Sequence, residues 1–133
     1  MTDTTPPCPA LAVLDPYLKA LGEGRTDDAL ALVADDVDWW TLGIGQMKKA
    51  DLAGAYAALF GTVERIAMTF THRLAEGDLA SLELRSDYRL RDGRQIAGSL
   101  MHLNATVADG RIVTMREYID MAPLAGILGA GVA

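Results

Sequence analysis

A chain of 133 residues, half of them hydrophobic, is sized for one domain with a substantial core, which excludes a disordered chain. Its formal net charge of −6 repels phosphate backbones and anionic bilayers, so nucleic acid and membrane surfaces are not expected partners. A small neutral, hydrophobic metabolite fits the balance better.

Cys8 is the single cysteine, so neither an internal disulfide nor a cysteine cluster is possible. Two histidines, His72 and His102, are too far apart in sequence for a zinc motif, so no metal and no cofactor is expected. The opening MTDTTPPCPA lacks a basic start followed by an apolar stretch. No run approaches the roughly 18 apolar residues of a membrane span, and the expected location is cytoplasmic.

Residues 1–9 are polar and proline-rich, and read as a flexible tail before one domain over 10–133. Leu11, Leu14, Leu18 and Leu21 recur at helical spacing, interrupted by Pro16, with Asp15 placed to cap a fresh start. GEGR breaks that helix. TDDALALVA begins a second, with Thr26 as N-cap and Asp27 and Asp28 beside its positive end. VDWWT reads as a short strand, with Trp39 and Trp40 on opposite faces.

Gly43 and Gly45 mark a loop that, with Gln46, is placed to form a cavity lip. A nucleotide-binding glycine motif is rejected there, because no parallel strand precedes it and no helix opens from it in that manner. The next segment sets Leu52, Tyr56, Leu59, Phe60 and Val63 on one face of a third helix. From there on the pattern alternates with period two, giving strands near 66–74, 79–91, 95–107 and 111–120. EGD, RDGR and ADGR join them as tight hairpins, since Asp-Gly accepts positive backbone angles. The tail PLAGILGAGVA reads as a short covering helix.

Helices first and a meander afterwards predict an α+β fold. Three N-terminal helices would pack on a curved, mostly antiparallel sheet, leaving a cone with an apolar interior.

The order of elements resembles the nuclear transport factor 2-like superfamily. So do ALVADDVDWW at 31–40, the DGR turn at 92–94 and DGRIVTMREYID at 109–120. That group includes ketosteroid isomerase, limonene epoxide hydrolase and the SnoaL-like polyketide cyclases, and the resemblance spans roughly residues 10–125. It implies the cystatin-like cone, while the fold by itself selects no reaction.

By resemblance to ketosteroid isomerase, Tyr17 falls where that family binds an oxyanion. Thr41 stands at its base position, and Met101 or His102 at its second acid. The base is therefore missing. By resemblance to limonene epoxide hydrolase, Arg85 and Asp87 of RSD and Asp120 of YID supply an acid, a base and the arginine between them. Trp39 and Thr41 then stand at the water-positioning sites. Aligning on the DGR turn brings Glu83 and Arg85 to the paired positions instead. Glu83, Arg85, Asp87 and Arg89 share one strand face in either register, a face that also suits a solvated stripe of ion pairs.

By resemblance to the SnoaL-like cyclases, one acidic residue in an apolar pocket suffices. Asp120, desolvated by Trp39, Trp40, Met101 and Leu103, is the residue placed in that role. His102 reads either as a structural hydrogen-bonded group or as a pocket residue. The expected activity is carboxylate acid/base chemistry as a hydrolase, cyclase or isomerase. The alternative is a non-catalytic binding or dimerisation module, and a homodimer through the outer sheet face is expected in both cases. Orientation decides between them: Asp120 and Arg85 open either into a cavity or to solvent.

Overall fold

The computed structural model describes residues 8–128. The apolar spacing at the N-terminus produces one uninterrupted helix, α1 (Pro9–Gly22), with Pro16 inside it. Pro16 and Ala12, whose carbonyl loses its partner, both lie on the exposed face, where water replaces the missing bond. Thr26 begins α2 (Thr26–Ala31), and Arg25, not Thr26, holds its N-cap position.

β1 (Val33–Thr41) is longer than VDWWT and absorbs the acidic run before it. The expected glycine loop becomes a turn into a short strand, β2 (Gly45–Met47), with Gly43 and Gly45 at positive φ. α3 (Lys49–Thr62) starts where Asp51 accepts the backbone N–H of Lys48 at 2.8 Å. It buries Leu52, Tyr56 and Phe60, while Val63 already belongs to the next strand. β3 (Val63–Glu76), β4 (Leu79–Leu90), β5 (Gln95–Ala108) and β6 (Arg111–Ile119) follow as the alternation predicts. α4 (Ala122–Leu128) closes the described chain. Of the expected tail, residues 1–7 lie outside the described residues, and Pro9 is already helical. Residues 129–133 of the expected covering helix also lie outside them.

The six strands form one sheet in the order β2-β1-β6-β5-β4-β3. Every neighbouring pair is antiparallel except β1 and β6, which run parallel. That one parallel pairing brings an early strand beside the last. Register shifts interrupt the β1–β6, β3–β4, β4–β5 and β5–β6 ladders. Each irregularity adds bend and twist, and the long strands curl around the helices.

Alternation then separates two faces. Leu82, Leu84 and Leu90 of β4, Leu103 of β5 and Met115 of β6 point inward and are fully buried, on strands that pack against α1. Glu83, Arg85, Asp87 and Arg89 point outward.

Gly22 touches the sheet directly: a Cβ built there would stand 2.7 Å from the carbonyl oxygen of Ile66. Gly22→Ala should therefore destabilise the protein by about 1–3 kcal/mol in urea unfolding. Gly54 sits on the exposed face of α3 with nothing within 4 Å of such a Cβ, so Gly54→Ala should stabilise by roughly 0.5–1 kcal/mol. Equal shifts of one sign would contradict this packing.

Candidate active site

The inner sheet face and α3 enclose a cavity of about 170 Å³. Leu52, Tyr56, Ile66, Met68, Met101 and Ile119 supply much of its wall. Ile44 also lines it while 56% exposed, so the β1–β2 turn forms the mouth. Among the described lining residues one carboxylate is present, that of Glu117.

The strand period puts it there. Met115 is fully buried, and two-residue steps carry Glu117 and Ile119 to the same face of β6. Parallel pairing sets Trp39 opposite Met115 and Thr41 opposite Glu117. Trp39 and Thr41 both face inward, and both donate to one oxygen of the carboxylate. Trp39 Nε1 reaches Glu117 Oε1 at 2.7 Å and Thr41 Oγ1 reaches it at 2.9 Å. Both bonds fall on Oε1, which leaves Oε2 as the oxygen available to a guest. Burial pushes the Glu117 carboxyl above its ordinary value, and the Thr41 and Trp39 hydrogen bonds oppose that shift without cancelling it.

A second polar pair hangs from the helices. The hydroxyls of Tyr17 on α1 and Tyr56 on α3 are hydrogen-bonded to each other. Tyr17 packs edge-on to Trp39 with ring centroids 6.1 Å apart, behind the cavity wall that Tyr56 forms. Burial, chiefly, raises both phenol pKa values, and the nearby Glu117 charge adds to each. Both therefore stay neutral hydrogen-bonding groups.

The structure corrects most of the expected site. Asp120 is exposed, and its Oδ1 accepts the backbone N–H of Ala122 at 3.1 Å at the start of α4. It is one residue out of phase with the inward face, so the expected desolvation by Trp39, Trp40, Met101 and Leu103 does not occur. Arg85 and Asp87 lie on the outer face, 3.5 Å apart, and Asp87 accepts the backbone N–H of Gly98 at 3.0 Å. Glu83 accepts the Thr71 hydroxyl at 2.8 Å on the same face. His102 is exposed and bonded to Ser81 at 2.8 Å. Trp40 faces outward, packed with Tyr118 and beneath the Arg116 guanidinium. Met101 does line the cavity, while Trp39 and Tyr17 stand behind it as partners of Glu117 and Tyr56. Glu117 and Tyr56 are the chemical groups the sequence pattern left unassigned. Counting in twos from Met115 to Ile119 identifies Glu117.

The SnoaL-like domain model matches residues 14–115, most of the chain, and the protein belongs to that family within the nuclear transport factor 2-like superfamily. The match ends before Glu117, so family membership alone is silent on this carboxylate. No protein of curated function matches the sequence. Among solved structures, an epoxide hydrolase of the limonene epoxide hydrolase-like type from M. tuberculosis is 20% identical with a TM-score of 0.71, over 90% of each chain. IdmH from Streptomyces antibioticus, a candidate polyketide cyclase, is 17% identical with a TM-score of 0.72, over 89% of this chain and 96% of that one. A protein of ketosteroid isomerase-like fold from Catenulispora acidiphila, in complex with trimethylamine, is 16% identical with a TM-score of 0.70, over 91% and 93%. At these identities the likeness establishes the cone fold. Among the described residues no helix is long and apolar enough to cross a membrane.

The raised carboxyl fixes a pH dependence. Above the ordinary value of 4.5 the unfolded chain releases a proton that folded Glu117 retains. Stability from this group is thus complete below that value and is lost as pH rises through the raised one. In urea unfolding, wild type should lose stability relative to Glu117→Gln as pH rises above 4.5. Trp39→Phe, which deletes one donor, should carry that slope to higher pH. A pH-independent difference would place an ordinary, solvated carboxylate at residue 117.

Proposed function

We propose that this protein is an enzyme moving a proton on a neutral, largely apolar carbonyl compound, with Glu117 as general acid and base. The observation carrying this reading is one desolvated carboxyl, oriented through Oε1 by Trp39 and Thr41, in a cavity whose other described lining residues are uncharged. A carboxyl whose proton affinity is raised by burial suits both removal and return of a proton.

In the proposed cycle, Glu117 Oε2 takes a proton from the carbon beside a carbonyl. Charge builds on the carbonyl oxygen, and the Tyr56 hydroxyl, itself bonded to Tyr17, donates a hydrogen bond to it. The resulting enolate either takes the proton back at another carbon, shifting a double bond, or attacks a second carbonyl and closes a ring. In the second case Glu117 returns its proton to the new alkoxide. One carboxyl suffices for either path, because it gives back the proton it took.

Epoxide hydrolysis is less well served. It needs a base on water and an acid on the epoxide oxygen together, whereas Arg85, Asp87 and Asp120 all lie outside the cavity. Asp120 and Arg85 both open to solvent, the orientation expected of a binding module, so the enzyme reading rests instead on Glu117, the carboxyl that does face the cavity.

A panel of enones, linear polyketide mimics and epoxides tests the assignment. On any substrate found, Glu117→Gln should lower kcat about 10²–10⁴-fold without lowering the melting temperature. Asp120→Asn should retain the rate. A Glu117→Gln protein at wild-type rate, or a panel in which only epoxides turn over, would remove the proposal.

A further inference from the structure

A second polar cluster sits on the cavity floor away from Glu117. The inward face of β4 reads Leu82, Leu84, Ser86, Tyr88, Leu90, so two hydroxyl residues interrupt a run of leucines. Ser86 and Tyr88 are each only 4% exposed, and both line the cavity. Ser99 of β5, 1% exposed, is the register partner of Ser86. Just beyond that pair the β4–β5 register slips, and Gly98 takes φ 87° with its N–H bonded to Asp87. Such a bulge re-aims the side chains beside it.

These hydroxyls differ in how they are used. Ser99 Oγ donates to the Asp120 carbonyl at 3.1 Å, tying β5 to the start of α4. That bond is structural. Tyr88 is hydrogen-bonded to Ser99 across the β4–β5 ladder and to Ser86, so these bonds stay within the cluster. Each hydroxyl carries one donor and two acceptor sites, more than their mutual contacts consume. Alanine and phenylalanine would fill the same space without the desolvation that buried hydroxyls incur.

The cluster is offset from the carboxylate across the sheet, yet close enough for the Glu117 charge to add to the burial that raises the Tyr88 phenol. Glu117 pairs with Leu103, and Leu103 with Leu82, whereas Ser86 lies four residues further along β4. Two strand spacings and four residues correspond to about 10 Å across the sheet and about 13 Å along it, before curvature draws the ends together.

We infer that Ser86 and Tyr88 form a second polar subsite, which binds a hydroxyl or carbonyl oxygen at the substrate end remote from Glu117. The substrate is then doubly oxygenated, apolar between its two oxygen functions, and held at both ends. This rests on the cavity being the substrate site, as proposed above, but it is read by binding and not by turnover.

The probes are 1-octanol and 1,8-octanediol, titrated calorimetrically into wild type, Ser86→Ala/Tyr88→Phe and Glu117→Gln. An apolar far wall would leave the diol's second hydroxyl unpaired and weaken its binding about tenfold or more relative to octanol. A polar subsite should keep the two affinities within about threefold in wild type, while the double variant opens the gap to about tenfold. Glu117→Gln should keep the wild-type ratio, so a failed catalytic assignment and a failed subsite are told apart. A tenfold penalty for the diol in wild type overturns the subsite without any variant. So does an unchanged ratio in a double variant whose circular dichroism is native. Absence of saturable binding by either alcohol overturns both the subsite and the cavity's role.

Discussion

The polar centre of the cavity hangs on one contact across the parallel β1–β6 seam, where Trp39 and Thr41 donate to the Glu117 carboxylate. A carboxylate inside an apolar hollow is costly unless it is hydrogen-bonded or protonated. Two donors on one oxygen meet part of that cost and fix the direction of the other oxygen. The remainder appears as a raised proton affinity. Orientation thus comes from the two bonds and the raised proton affinity from the burial they only partly offset, and the bonds depend on strands that lie far apart in sequence but adjacent in the sheet.

The surroundings are arranged to keep that balance. The Tyr17 and Tyr56 hydroxyls are bonded to each other, one donating and the other accepting, so each phenol has a partner inside the core. Leucine, isoleucine and methionine make up most of the remaining wall, which keeps the local dielectric low and the carboxyl pushed above its ordinary value. Charged side chains are sorted to the opposite sheet face. Arg85 and Asp87 form a solvent-exposed pair there, with side chains 53% and 35% exposed, a setting in which ion pairs contribute little to stability. The sheet therefore has a chemical face and a solvated one, divided by the strand period.

Much of this was legible from local pattern. Apolar spacing marked α1 and α3, and Asp-Gly turns marked the hairpins to within a few residues. Pro16 misled, because whether a proline ends a helix depends on whether the freed carbonyl is hydrated or buried. Asp120 misled for a sharper reason. It closes an apolar strand and suggests a pocket, yet it lies one residue out of phase with Met115, Glu117 and Ile119. A shift of one residue exchanges the two faces of a strand. The same rule moved Glu83, Arg85 and Asp87 outward together and left Ser86 and Tyr88 inside.

The amino-acid order by itself determined the helices, the strands and the sheet's two-faced character, because residue periods of 3.6 and 2 are local properties of the backbone. Tertiary structure alone decided which face became the interior and which strands met. The parallel junction of β1 with β6 brings residues 39 and 41 to a single oxygen of Glu117. No local rule encodes that meeting, since it is settled by how the whole sheet closes over its helices.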